Sequence, residues 1–146
     1  DYKFNTEITS IEKIDDHYVL TSQDGEKIET RAVVNAAGLY SDAIHNQLLN
    51  DNKFDVRARR GEYLLLDKAT RGFVNHVLFN LPTEKGKGIL VTPTIDGNTL
   101  IGPTSDFVDD KADTVTTQER IEEVIEKVED TVENVPVRQV ITSFSG

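Results

Sequence analysis

Apolar and polar positions alternate along the opening third of the chain. Phe4, Thr6, Ile8 and Ile11 follow a strand pattern with a bulge or turn between the last two, and Tyr18-Val19-Leu20-Thr21 reads as the next strand. Gln23-Asp24-Gly25-Glu26 separates it from a short return strand over Ile28 to Thr30, because Asp-Gly accepts the positive φ that hairpin turns demand. Together these segments predict a β-meander. Ala32-Val33-Val34-Asn35 is a continuous apolar run closed by Gly38, the pattern of a buried strand. Ser41 is a candidate N-cap, with a helix predicted from there to about Leu49 and ended by Asp51 and Asn52.

From Lys53 the pattern returns to strands. Arg57 to Arg60 leads through Gly61 into Tyr63-Leu64-Leu65-Leu66, and Val74 to Leu81 reads as another strand. Glu84-Lys85-Gly86-Lys87-Gly88 is a predicted turn. Ile89-Leu90-Val91-Thr92 and Asn98-Thr99-Leu100-Ile101 then flank Ile95-Asp96-Gly97 as a hairpin, with Pro93 limiting regular hydrogen bonding in its first strand. One long helix follows. Thr116 and Glu119 have the spacing of a capping box, and Ile121, Val124, Ile125, Val128 and Val132 form one apolar stripe opposite Glu122, Glu123, Glu126 and Glu129. Pro136 lies beyond its end, and a last strand is predicted from Val137 to Phe144. Strands in series followed by one covering helix predict an α+β fold rather than a run of βαβ units.

Composition narrows the function classes. The 146 residues suffice for one domain, or for one lobe and part of another, and 37% apolar content fits a folded, soluble protein. Sixteen basic against 26 acidic residues give a net charge of −10, which repels a nucleic acid backbone. The acid is concentrated over 106–133. The basic residues Arg57, Arg59 and Arg60 could meet an anionic substrate, or simply decorate a solvated loop or edge strand. Without cysteine, neither disulfides nor thiolate chemistry is available, and a cytoplasmic setting is expected. No apolar run approaches the roughly 20 residues that cross a bilayer. The chain opens inside a strand-like pattern and stops at Ser143-Phe144-Ser145-Gly146, so it reads as an internal piece of a longer protein.

The chemistry-bearing residues are few. The three histidines, His17, His45 and His76, sit in no compact metal-ligand pattern, and no metal site is predicted. His76, ahead of Val77-Leu78-Phe79, is the candidate catalytic group, able to exchange a proton near neutral pH if it faces a pocket, and otherwise a structural or exposed histidine. Gly86-Lys87-Gly88 lacks the spacing of a phosphate-binding P-loop. Ala36-Ala37-Gly38 and Arg60-Gly61 are more informative. Their small side chains allow a planar cofactor to approach the backbone, although tight strand–helix packing explains them equally well.

Five stretches carry a resemblance across most of the chain: 33–42 (Val-Val-Asn-Ala-Ala-Gly-Leu-Tyr-Ser-Asp), Arg60-Gly61-Glu62-Tyr63, 86–94 (Gly-Lys-Gly-Ile-Leu-Val-Thr-Pro-Thr), 97–104 (Gly-Asn-Thr-Leu-Ile-Gly-Pro-Thr) and the terminal Ser143-Phe144-Ser145-Gly146. In this order they resemble the FAD-dependent oxidoreductases that include D-amino-acid oxidase-like enzymes, and among them glycerol-3-phosphate dehydrogenase-like and 2-hydroxyglutarate oxidase-like members. The resemblance implies a split FAD-binding domain. Residues 1–50 would supply a partial FAD-side meander, strand and short helix. Residues 51–141 would form a substrate-side domain with a mixed or mainly antiparallel sheet, and 142–146 the approach to a C-terminal FAD-binding segment.

The same resemblance implies that Ala36, Ala37 and Gly38 approach FAD, that Gly61 passes beside the flavin or substrate pocket, and that Arg60 and Tyr63 are candidate substrate contacts, with Thr92 and Thr104 supporting turns. It implies hydride transfer from glycerol 3-phosphate or a small 2-hydroxy acid to flavin in the parent protein. The electron acceptor is left unidentified, and peripheral membrane association of the parent is left open. The usual Gly-x-Gly-x-x-Gly is absent from this sequence, so little or no stable FAD binding is expected of the chain by itself. An amine or amino-acid oxidase fragment, or a noncatalytic small-molecule-binding or protein-interaction domain, are the alternatives.

Overall fold

The computed structural model describes residues 1–82, 84 and 88–146. The turn expected over Glu84–Gly88 therefore lies outside the described residues, apart from its two ends. The chain divides into two units, Asp1–Arg57 and Ala58–Gly146.

The first unit opens with the expected meander. Strands β1 (Ile8–Ile14), β2 (His17–Ser22) and β3 (Lys27–Thr30) pair antiparallel in the order β1-β2-β3. The register of β1 slips between Ile8 and Ser10, where the sequence placed a bulge. The second turn closes through Gly25, at φ +79°, whose N–H donates to the Ser22 carbonyl at 2.9 Å. Helix α1 (Ser41–Leu49) is pinned to the meander by Gln47, whose amide donates to the Thr9 carbonyl at 3.0 Å.

Two local expectations fail here. Ala32-Val33-Val34-Asn35 forms no strand, and Val34 is 90% exposed. An apolar run of this kind is stable as a strand only between neighbours that satisfy its backbone and cover both faces, and among the described residues no strand lies beside it. Ser41 is not an N-cap. A 3₁₀ turn over Gly38–Tyr40 runs directly into α1, with the Ser41 N–H donating to the Gly38 carbonyl, so Ser41 is already helical. The helix ends at Leu49, as expected, and Asn50 closes it in the left-handed conformation, its N–H donating to the Asn46 carbonyl at 2.8 Å.

In the second unit, β5 (Glu62–Leu66), β6 (Leu90–Pro93), β7 (Thr99–Gly102) and β9 (Val140–Ser145) form an antiparallel sheet in the order β6-β7-β5-β9. The two-residue strands β4 (Arg59–Arg60) and β8 (Asp106–Phe107) pair beside it. Helix α2 (Gln118–Val128) lays its stripe on one face: Val124 and Val128 are fully buried against Leu64, Leu66, Val91 and Ile101, with Ile121, Ile125 and Val132 at the margin. The β6–β7 hairpin turns through Gly97 at φ +93°, and Pro93 ends β6 at the sheet edge, where a missing N–H costs least. The fold is thus the α+β arrangement expected, a mainly antiparallel sheet with a covering helix.

Two more expectations change. Val74–Leu81 contributes one bridge, Leu78 to Val91, rather than a strand. A bend at Asn75–His76 precedes the bridge, and Val77, Phe79 and Leu81 on either side of it are exposed. The cap of α2 is Thr117, not Thr116; its hydroxyl accepts from the Arg120 N–H. Among the described residues no helix is long and apolar enough to cross a membrane.

Candidate functional site: the open face of the four-stranded sheet

Side chains on a strand alternate between faces, and the alternation of β5 is clear. Glu62, Leu64 and Leu66 are buried on the helix side, while Tyr63 and Leu65 point the other way and are half-exposed. Cross-strand register extends this second face: Tyr63 opposes Phe144, Leu65 opposes Leu100 and Thr142, and Leu100 opposes Thr92. None of these six side chains is buried. The sheet is therefore covered on one side and open, with an apolar and aromatic surface, on the other.

Tyr63 is held on the open face from two sides. Its ring stacks on Phe144 with centroids 5.3 Å apart and planes 13° from parallel. Beneath it lies Gly102, at φ +139°, where a Cβ would sit 2.8 Å from Tyr63 Cδ1 and 2.8 Å from the Glu62 carbonyl oxygen. Only glycine leaves room for that ring. The Tyr63 hydroxyl has no hydrogen-bond partner among the described residues.

The residues before Tyr63 hold the corner from which β5 starts. Gly61 exchanges two backbone hydrogen bonds with Gly146, at 2.8 and 3.1 Å. A Cβ on Gly61 would fall 2.6 Å from Pro103 Cβ, so its small size is required by close packing against the cis Gly102–Pro103 segment. Glu62 is fully buried. Its carboxylate accepts from the Thr117 N–H at 2.8 Å and pairs with Arg60 Nη2 at 3.2 Å. Arg60 Nη1 donates to Asp113 at 2.6 Å, and its buried Nε has no partner among the described residues. The Val115 N–H and the Arg60 guanidinium hold the Asp113 carboxyl below its usual range, against the opposing effect of burial. Arg60 is thus tied by its two Nη groups to protein carboxylates.

The remaining sequence candidates are elsewhere. His76 is exposed on its bend, and no hydrogen bond joins it to Arg60, Gly61 or Tyr63 among the described residues. Ala36, Ala37 and Gly38 belong to the first unit, where Gly38 has φ +56° and nothing within 4 Å of the Cβ position, so the backbone is open to approach there. A concavity of about 260 Å³ between Arg71–Asn75 and the β6–β7 turn contains none of the candidates. Sequence reasoning missed Gly102 and Phe144 as supports of Tyr63, although both fall within stretches that carried the resemblance.

Comparison with known proteins settles the family. The family described as FAD dependent oxidoreductase matches residues 1–146. The chain belongs to it. Glycerol 3-phosphate dehydrogenase of Caloramator mitchellensis is 42% identical over 143 residues, covering 97% of this chain and 29% of the relative. L-2-hydroxyglutarate dehydrogenase of Salmonella houtenae is 28% identical over 102 residues, covering 68% of this chain and 24% of the relative. Among solved structures, dithionite-reduced L-alpha-glycerophosphate oxidase from Mycoplasma pneumoniae with FAD bound superposes with a TM-score of 0.85 at 29% identity, covering 97% of this chain and 38% of that one. This FAD-dependent oxidoreductase chain therefore spans well under half the length of the relatives it matches.

Proposed function

We propose that the protein containing this chain oxidises glycerol 3-phosphate or a small 2-hydroxy acid, and that the open face of the β6-β7-β5-β9 sheet is its substrate side. The observation that carries this reading is Tyr63: an aromatic ring locked in place on an uncovered sheet face, with its hydroxyl unpartnered. A phenol held in that way is a ready donor or acceptor for a hydroxyl or carboxylate. The names of the similar proteins supply the substrate class.

The flavin, when bound, supplies the two-electron acceptor for the substrate's carbon–hydrogen bond. The Ala36–Gly38 backbone fits contact with such a group, because it is exposed and the direction a Gly38 side chain would take is empty. Residues 1–50 then belong to the cofactor side and 51–141 to the substrate side, with 142–146 leading back towards the cofactor. In this scheme Gly61 keeps the chain close beside Pro103 at the pocket wall, Tyr63 touches substrate, and Arg60 braces the corner through Glu62 and Asp113 rather than reaching out. His76 remains the candidate for proton exchange only if other parts of the parent protein approach its bend. The chain alone is expected to retain little FAD, since its sequence has no Gly-x-Gly-x-x-Gly to hold the pyrophosphate.

The test is anaerobic. The full-length protein with bound flavin is mixed separately with glycerol 3-phosphate, 2-hydroxyglutarate and a panel of amines and amino acids. Bleaching of the flavin's visible band by the phosphate ester or hydroxy acid, with formation of the matching ketone, is expected. Bleaching by amines or amino acids alone would overturn the substrate class.

A further inference from the structure

We infer that Phe144 and Gly102 are positioning residues for Tyr63, and that Phe144 thereby sets which substrates Tyr63 can hydrogen-bond. The inference rests on the reading of the open face as the substrate side. Its starting point is that the Tyr63 ring is fixed from two directions by residues that sequence places far apart. Phe144, directly opposite on β9, stacks nearly parallel to it at 5.3 Å. Gly102, on the other neighbouring strand, provides the gap in which ring atom Cδ1 rests. Parallel offset rings favour one plane over others, and close contact beneath prevents the ring from tipping inwards. The Oη vector is then determined by the backbone positions of β5, β7 and β9 rather than by any hydrogen bond of its own.

Physical chemistry gives this arrangement a purpose. A tyrosine hydroxyl buried in a core ordinarily finds a protein partner; that of Tyr63, on a part-exposed side chain, has none among the described residues and is left to a ligand or solvent. Phe144 is 44% exposed and lends little to the core, which lies on the opposite face under α2. A half-exposed aromatic pair with a directed, unpaired polar tip suits recognition better than cohesion. Holding the donor in place removes the cost of ordering it when substrate arrives, so loosening the ring should weaken binding more than it slows chemistry.

The experiment uses full-length protein with flavin bound. Tyr63→Phe, Phe144→Leu, Phe144→Tyr and the double variant Tyr63→Phe/Phe144→Leu are compared. Phe144→Leu is expected to raise KM for the preferred substrate by roughly three- to tenfold, the scale of a lost aromatic pair, with little change in kcat. Phe144→Tyr should return KM close to wild type, and Phe144→Leu should add nothing in the Tyr63→Phe background. A second readout needs no turnover: the 3-fluorotyrosine resonance of Tyr63, assigned by its loss in Tyr63→Phe, should move in Phe144→Leu as the neighbouring ring current disappears. Effects on KM that multiply independently in the double variant, or an unmoved Tyr63 resonance, would overturn the inference while leaving the substrate reading intact. A wild type that oxidises neither polyol phosphate nor hydroxy acid would instead overturn the reading of the face, and the claim about substrate choice with it.

Discussion

Replacing Glu62 tests how the second unit is held together at its most charged point. Glu62 has no exposed surface, accepts the Thr117 N–H at 2.8 Å and pairs with Arg60 at 3.2 Å. Glu62→Ala removes a hydrogen bond to a charged group, worth about 1.5–3 kcal/mol. It also takes from Arg60 one of its two carboxylate partners. Arg60 keeps Asp113, so the loss should stop short of the roughly 3–5 kcal/mol seen when a buried ion is left alone. The expectation is about 3 kcal/mol. Glu62→Gln keeps an oxygen facing the Thr117 N–H and the same volume, and should cost about half as much, since only the charge is lost.

The assay is hydrogen exchange in the full-length protein, read at the amides of Thr117 to Ile121. A loss of about 3 kcal/mol in local opening corresponds to exchange roughly two orders of magnitude faster in Glu62→Ala, and about tenfold faster in Glu62→Gln. Unchanged exchange in Glu62→Ala would refute the reasoning, because it would mean that the Thr117 hydroxyl and the apolar stripe suffice to start the helix. Equal exchange in the two variants would also refute it, by showing that charge alone and not the acceptor fixes Thr117.

Gly61→Ala should destabilise the full-length protein by about 1–3 kcal/mol through overpacking against Pro103, read as a lower urea midpoint at unchanged slope. Val128→Ala should cost about 2–3 kcal/mol, because two buried carbons are lost beneath α2 and the sheet cannot follow them; the same midpoint reports it. Asp113 has a folded pKa below its ordinary value, held down first by the Val115 N–H and then by Arg60, so these contacts stabilise the protein above the ordinary carboxyl range and the benefit disappears as pH falls through the lowered pKa. Asp113→Asn should therefore lower stability near neutrality yet flatten its decline in acid, seen as a shallower fall in Tm with pH below about 4; a decline parallel to wild type would count against the Val115 and Arg60 contacts together.

Those elements whose causes are local were legible in the sequence. The stripe Ile121, Val124, Ile125, Val128 and Val132 needs only helical spacing to be recognised, and it is the stripe that packs on the sheet. Gly25 and Gly97 mark their hairpins because a positive φ is a property of the turn itself. Elements that depend on distant partners were not. The helix cap moved by one residue because the carboxylate fixing Thr117 belongs to Glu62, 55 positions earlier. Ala32–Asn35 carries a strand's composition, yet strand structure is a relation between segments, and no described segment pairs with it. Ser41 looked like a cap because the preceding 3₁₀ turn leaves no mark in hydropathy.

The same distinction governs the candidate site. Gly61 and Tyr63 could be singled out because Arg60-Gly61-Glu62-Tyr63 is one of the stretches that carry the family resemblance. The reason for Gly61, a Pro103 Cβ 2.6 Å from where its own would be, required the fold. So did the setting of Tyr63, because its pairing with Phe144 depends on β5 and β9 meeting in one register. That register shifts between Leu65 and Leu66, where Thr142 and Val140 are the successive partners and Ile141 is passed over. Had β9 paired without this bulge, every residue beyond it would have changed face. The irregularity lies on the far side of Thr142 from Phe144, so Tyr63 and Phe144 keep the open face while Val140 turns to the core side opposite Leu66. A single extra residue thus lets β9 give Phe144 to the open face and Val140 to the core, an arrangement that no local pattern in the strand records.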